Sequence, residues 1–357
     1  METTIIKVLA PTAIAFIVGI MITPIITHYL YHYKMWKKKS GKGAGYGGGE
    51  TPIFDALHKT RDINTPRMGG VVIWMSVVIT VLLIWLLQFI FEGQLLGTLN
   101  FLSRSQTWLP LSALLIGAVV GFFDDFLVVR GTGKHFAGGL PLSQRLLVVG
   151  ATALFSAWWF YEKLEVSTVA LIGYGPIELG VFFIPFFVLV ALAIYASSVI
   201  DGIDGLSGGT LMFIFTAYAG IAVYQQQIDL AAFCATVVGG ILAFLWFNVP
   251  PARFYMTETG IMALTMALTI VAFMTDTLGG GEGVSVLPVI GILLVLTVLS
   301  DVLQLFSKKI RGKKLFLIAP LHHHFEAIGW PAEKVTMRYW ILGFVFAIMG
   351  TLLAIAL

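Results

Sequence analysis

The sequence predicts an all-α, polytopic membrane protein of about ten transmembrane helices, with both termini on the periplasmic or extracellular side. Three observations carry that expectation. Of 357 residues, 58% are hydrophobic and 11% charged, and the mean hydropathy is +0.92, a balance that belongs to membrane proteins and not to soluble domains. The apolar residues fall in runs of roughly 17 to 24, long enough to cross a hydrocarbon core of about 30 Å as helices. Lysine and arginine collect in alternate loops.

Ten apolar runs can be placed, near 8–31, 69–91, 109–128, 143–161, 181–199, 208–224, 230–247, 259–275, 287–306 and 339–357. They fill the chain and leave no room for a soluble domain of ordinary size, so residues 1–357 are expected to form one integral membrane domain. The first run lacks the small-residue cleavage pattern of a removable signal and is expected to stay as a spanning helix. Cys234, the single cysteine, lies inside a run, which leaves neither a disulfide framework nor a thiolate metal site.

Charge sets the expected orientation. If the first loop is cytoplasmic, the odd-numbered loops carry nineteen of the 22 Lys and Arg residues, and the other side keeps only Lys7, Arg104 and Lys163. The positive-inside rule then puts five loops in the cytoplasm and both termini outside. The segment KKKSGKGAGYGGG at 37–49 reads as a flexible basic linker near anionic headgroups. Its glycines lack Walker spacing and no strand precedes them, so it is not a phosphate-binding loop of that type.

Ionisable residues cluster at the cytoplasmic ends of the runs. Asp124 and Asp125 close the third run in GFFDDF. Carboxylates at a membrane edge are rare and are generally paired, metal-bound or catalytic. Neighbours on a helix point about 100° apart, so one can bind metal while the other acts as base. Asp201 and Asp204 follow the fifth run in SSVIDGIDGLSGG, where flanking glycines allow backbone N–H groups to approach phosphate or uracil oxygens. The bland alternative is a re-entrant turn capped by aspartate.

Glu258, in RFYMTETGIM, reads equally well as an acidic residue in a first helical turn capped by Thr257 or Thr259. His322, His323 and His324 lie in APLHHHFE, with Glu326 two residues on. Imidazoles at that density suit metal ligation, donation to a diphosphate or acid–base chemistry near neutral pH; a tetrahedral zinc site is disfavoured, since consecutive residues on one helix cannot all converge on one ion. Hard carboxylate oxygens beside basic groups on one face suit magnesium or manganese with a diphosphate, and hence phosphoryl transfer. A transporter would instead be expected to carry ionisable groups near mid-span.

These residues resemble the polyprenyl-phosphate N-acetylhexosamine-1-phosphate transferases over nearly the whole chain. The likeness rests on TPRMGG at 65–70, GFFDDF at 121–126, DGIDGLSGG at 201–209, LWFN at 245–248, YMTETG at 255–260 and APLHHHFE at 319–326. The three-histidine motif resembles the branch that uses UDP-N-acetylmuramoyl-pentapeptide; a sister branch uses UDP-N-acetylglucosamine.

The resemblance implies a magnesium-dependent enzyme of the bacterial cytoplasmic (inner) membrane with its active site on the cytoplasmic face. It would transfer phospho-N-acetylmuramoyl-pentapeptide to undecaprenyl phosphate, forming a lipid-linked peptidoglycan precursor and UMP. Membrane lipid surrounds such a protein, no nucleic acid is expected as a partner, and members are often dimers, which makes a homodimer an expectation here. By position, the resemblance gives Asp124, Asp125 and Glu258 catalytic roles, with Glu258 and Asp124 toward Mg2+. It gives Asp201, Asp204, His322, His323, His324 and Arg67 to substrate. Four positions depart from the family pattern: Glu258 stands where aspartate is usual, Val128 where lysine is common, Ser198 where asparagine is common and Arg67 where threonine is typical.

Overall fold

The structure, a computed structural model, describes residues 2–37, 64–91, 94–131 and 139–356. Most of the basic glycine-rich segment at 37–49 lies outside them. Helices α1 (Glu2–His32), α2 (Val71–Ile90), the short α3 (Gln94–Leu99), α4 (Trp108–Arg130) and α5 (Leu142–Lys163) make the first half. The second half comprises α6 (Phe183–Ala196), α7 (Leu206–Tyr224), α8 (Ile228–Asn248), α9 (Thr257–Met274), α10 (Gly283–Ile290), α11 (Ile292–Arg311), α12 (Leu321–Ala327) and α13 (Ala332–Ala356).

Among the described residues, eight helices are long and apolar enough to cross a membrane, and a ninth arises if the bent pair α10 and α11 crosses as one. The chain is therefore a multi-pass membrane protein. The ninth expected run, 287–306, is broken at Gly291, where the two helices meet at 72°. The fourth, near 143–161, forms α5, but Trp158, Trp159, Tyr161 and the charged Arg145, Glu162 and Lys163 make it less apolar than its neighbours.

One helix is wholly interior. The most apolar window of α9 is 94% buried, against 22% in α1 and 28% in α13, whose outward faces carry exposed Leu, Ile and Phe. In lipid, large apolar side chains on an outer face carry no hydrophobic penalty, so these helices form the bundle perimeter. Around α9 the packing depends on glycines: a Cβ on Gly121 would collide with the Glu258 carbonyl, one on Gly117 with the Met262 carbonyl, and one on Gly70 with the Gly260 amide. Backbone thus meets backbone where α2, α4 and α9 cross. Farther along, Phe187 stacks on Phe273 with ring centroids 4.0 Å apart, and Phe160 and Phe183 complete the aromatic layer.

The all-α expectation missed one feature, a two-stranded antiparallel hairpin of β1 (Thr168–Leu171) and β2 (Gly175–Glu178) with Thr168 opposite Glu178. It sits at the bundle end opposite the aspartate motifs. Asp276 holds it there, accepting hydrogen bonds from Ala170 N at 2.8 Å and Val284 N at 2.8 Å. At that same end Lys7 pairs with Asp229 at 2.5 Å, closing the start of α1 onto the start of α8.

Replacing Gly121 by alanine should force α4 away from the start of α9. Overpacking of this kind costs about 1–3 kcal/mol, and the expected outcome is a lower thermal unfolding midpoint in detergent. An unchanged midpoint would show that the two helices can separate freely.

Candidate active site

The site forms where TPRMGG, the end of α4 and the YMTETG segment meet. Gly69 N donates to Tyr255 O at 2.7 Å, Gly70 N to Met256 O at 3.2 Å, and Tyr255 N to Pro66 O at 2.9 Å, so two distant segments run side by side. At their junction Met68 and Thr257 adopt positive φ, 68° and 55°. Such a conformation in a β-branched residue costs of order 1–3 kcal/mol and persists only where surrounding bonds impose it. Here Met68 N donates to Thr257 Oγ1 at 3.1 Å, and Thr257 N donates to Asp201 Oδ2 at 2.9 Å.

Asp125 is fully buried and supplies the centre of this network. Its Oδ1 accepts from Arg67 Nε at 3.2 Å and Nη2 at 3.1 Å. Its Oδ2 accepts from Thr257 Oγ1 at 2.5 Å, Thr259 N at 2.9 Å and Thr259 Oγ1 at 2.7 Å. The carboxylate therefore caps the N-terminus of α9 from another helix, where amides left without intrahelical partners and the helix dipole both favour an anion.

Asp124, one residue earlier, points elsewhere. Among the described residues its carboxylate accepts a hydrogen bond from Leu140 N at 2.6 Å. Gly139 lies against it, and a Cβ there would crowd Oδ1. Both aspartates are buried, and the adjacent pair divides into a carboxylate saturated with donors and one with a single donor among the described residues.

Glu258, in the first turn of α9, forms an ion pair with Arg145 from the first turn of α5, both largely buried. Tyr195 OH donates to its other oxygen at 3.3 Å. Arg145 also lies within electrostatic range of Asp124.

Asp201 accepts from Ser207 Oγ at 2.6 Å as well as from Thr257 N. Burial pushes its carboxyl above the usual range, against the opposing pull of those two donors and of Arg67. Asp204 is directed to a different job: its Oδ2 accepts from Ala252 N at 3.3 Å and its carbonyl from Thr336 Oγ1 at 3.0 Å, tying the loop to the turn after α8 and to α13.

The histidines separate. His322 and His323 are buried with ring centroids 4.3 Å apart. A Cβ on Gly202 would lie 2.5 Å from His322 Nε2 and 2.6 Å from His323 Nε2, so this glycine lets both rings reach the DGIDG backbone. His323 Nδ1 is 2.7 Å from Glu326 Oε2, which orients the ring and directs Nε2 toward Gly202. His324 turns away, accepting from Leu317 N at 3.3 Å and packing edgewise on Phe316.

Arg67, Asp124, Asp125, Glu258, Asp201, His322 and His323 thus gather at one end of the bundle, while Asp204 and His324 brace its margins. Sequence reasoning passed over Arg145, Tyr195, Thr257, Thr259 and Asn248 as site-forming residues. Asn248 bridges Gly205 N at 2.8 Å and Phe254 O at 2.8 Å. For Arg145 a signal existed, since a lone arginine opening an apolar run needs a buried partner; for the threonines none did.

The donor set suits a hard divalent cation. Among the described residues no three His, Cys, Asp or Glu side chains converge as a complete cage. Magnesium needs none, because it is commonly held by one or two carboxylates and completed by water and substrate phosphates. Asp124 and Glu258 can supply those carboxylates. When all are ionised, four carboxylates, those of Asp124, Asp125, Asp201 and Glu258, face the two guanidinium groups of Arg67 and Arg145, an imbalance that a divalent cation offsets.

The chain is similar to known proteins along most of its length. The family described as glycosyl transferase family 4 matches residues 107–276. The phospho-N-acetylmuramoyl-pentapeptide-transferase of Anoxybacillus flavithermus is 32% identical over 349 residues, covering 96% of this chain and 97% of that one. The protein of the same name from a Geobacillus strain is 31% identical over 342 residues, 94% of each chain, and that from Desulfitobacterium hafniense 33% over 303 residues, 81% of this chain and 83% of its own.

Asp201 generates a pH prediction. Its folded-state pKa lies above the unfolded value, so the folded protein holds the proton more tightly. That stabilisation is complete below about pH 4, the unfolded carboxylate value, and is lost as pH rises through the folded one. Thermal midpoints of wild type and Asp201→Asn in detergent should therefore lie closest at low pH, where both side chains are neutral, and wild type should lose stability relative to the variant as pH rises. A gap independent of pH would remove this role.

Proposed function

Because the chain belongs to the phospho-N-acetylmuramoyl-pentapeptide-transferase family of membrane phospho-sugar transferases, we propose that it transfers phospho-N-acetylmuramoyl-pentapeptide from its UDP conjugate to undecaprenyl phosphate, releasing UMP. The observation that carries the reading is the convergence of Asp124, Glu258, Arg145, Arg67 and the His322–His323 pair at one end of the bundle. Ionisable groups at one helix-end cluster suit chemistry at a membrane surface better than a mid-membrane ion path. The distribution of Lys and Arg supports a cytoplasmic location for this end, in the bacterial inner membrane, with both termini outside.

In this mechanism an oxygen of the lipid phosphate attacks the sugar-proximal phosphorus of the nucleotide. A new P–O bond forms as the bond to the UMP oxygen breaks, and UMP leaves with that electron pair. Asp124, the carboxylate with fewer donors committed to it, orients the acceptor phosphate or takes its proton. Asp125 holds Arg67 and the start of α9 in position. His322 and His323 present Nε2 atoms to the diphosphate or the sugar, with Glu326 fixing the second ring. Bound Mg2+, held by Asp124 and Glu258, would neutralise charge on the phosphate groups.

The test is UMP release by the purified protein in detergent with undecaprenyl phosphate and Mg2+, comparing UDP-N-acetylmuramoyl-pentapeptide with UDP-N-acetylglucosamine. Release with the first substrate alone is expected. Release with only the second would assign the chain to the sister chemistry, and none with either would overturn the transferase reading.

Two substitutions refine the roles. Asp124→Asn is expected to lower kcat by about 10²-fold or more while the protein stays folded. His323→Ala should reduce activity far more than His324→Ala, measured side by side; equal losses would contradict the division of the histidines.

A further inference from the structure

Both oxygens of Glu258 are engaged within the protein, one by Arg145 and one by Tyr195 OH. A cation reaching this carboxylate must displace one of them. Arg145 is the partner able to move, because its guanidinium ends a long flexible side chain, whereas Tyr195 is buried on the last turn of α6. Arg145 Nε is buried and has no hydrogen-bond partner, so the guanidinium is held by charge through part of its fork and has a donor left for another acceptor.

A planar guanidinium with two donors in register matches phosphate oxygens as well as carboxylate. We propose that Arg145 is a built-in counter-ion that competes with the divalent cation for Glu258, and that it turns to the diphosphate of the nucleotide when the cation binds. The proposal rests on the transferase reading for the identity of that diphosphate. Its consequence is a site that stays charge-compensated without metal and couples metal entry to nucleotide binding.

The test measures binding of Mn2+ alone, followed by the loss of its free-ion paramagnetic resonance signal on titration into purified protein in detergent. Arg145→Gln is expected to bind Mn2+ about tenfold more tightly than wild type, since a buried carboxylate left without its partner strongly favours a replacement cation. Its affinity for UDP in the presence of Mn2+ should fall. Unchanged or weaker Mn2+ binding would overturn the proposal.

Arg145→Lys keeps the buried charge but lacks the fork, and it decides the matter if the glutamine variant does not fold. It should bind Mn2+ close to wild type, because the competing charge remains, yet bind UDP in the presence of Mn2+ less tightly, because the fork is lost; markedly tighter Mn2+ binding despite the retained charge, or unchanged UDP affinity, would overturn the proposal. Neither measurement uses the acceptor lipid or the sugar, so a failed transfer assay and a failed competition are told apart.

Discussion

The buried carboxylate of Asp125 is the constraint on which the site depends. Removing such a group from water is costly unless its oxygens are met by donors and an opposite charge. Arg67, Thr257 and Thr259 supply both. Since they come from the entry to α2 and the start of α9, satisfying one carboxylate aligns three separate parts of the chain. The unusual backbone of Met68 and Thr257 is held by the same bonds.

Close approach of helices makes this possible. Gly117 and Gly121 on α4 and Gly70 beside Gly260 remove the side chains that would otherwise keep the backbones apart. In a membrane, helix association has no hydrophobic drive between apolar surfaces and rests on packing and interhelical hydrogen bonds. Small residues at the crossing and a hydrogen-bonded carboxylate beside it therefore serve the same end. The interior helix α9 then delivers Glu258 to the open side, where Arg145 and Tyr195 await it.

Under the proposed reaction, the site separates groups that hold from groups that act. Asp125, Asp201, Asp204 and Asn248 engage backbone amides or hydroxyls from other segments and fix loops in place. Asp124, Glu258 with Arg145, and the paired histidines are the groups that the proposed reaction uses. This division explains why neighbouring residues in a motif carry different work: adjacent positions on a helix diverge in direction, and Asp124 and Asp125 face different partners. The same divergence in α12 sends His324 away from His322 and His323.

The sequence by itself determined the membrane class, the order of the spans and the motif residues that gather in the site, because each is written in local composition and spacing. Long apolar runs must be helical in lipid, and carboxylates at their ends need a reason to be there. Tertiary structure alone decided which carboxylate is saturated with donors and which is not, the break at Gly291, the hairpin held by Asp276 and the pairing of Arg145 with Glu258. Those outcomes depend on contacts between residues far apart in the chain, 113 positions in the case of Arg145 and Glu258. Periodicity and composition carry no record of such contacts, since the direction of a side chain matters only once its partner helix is in place.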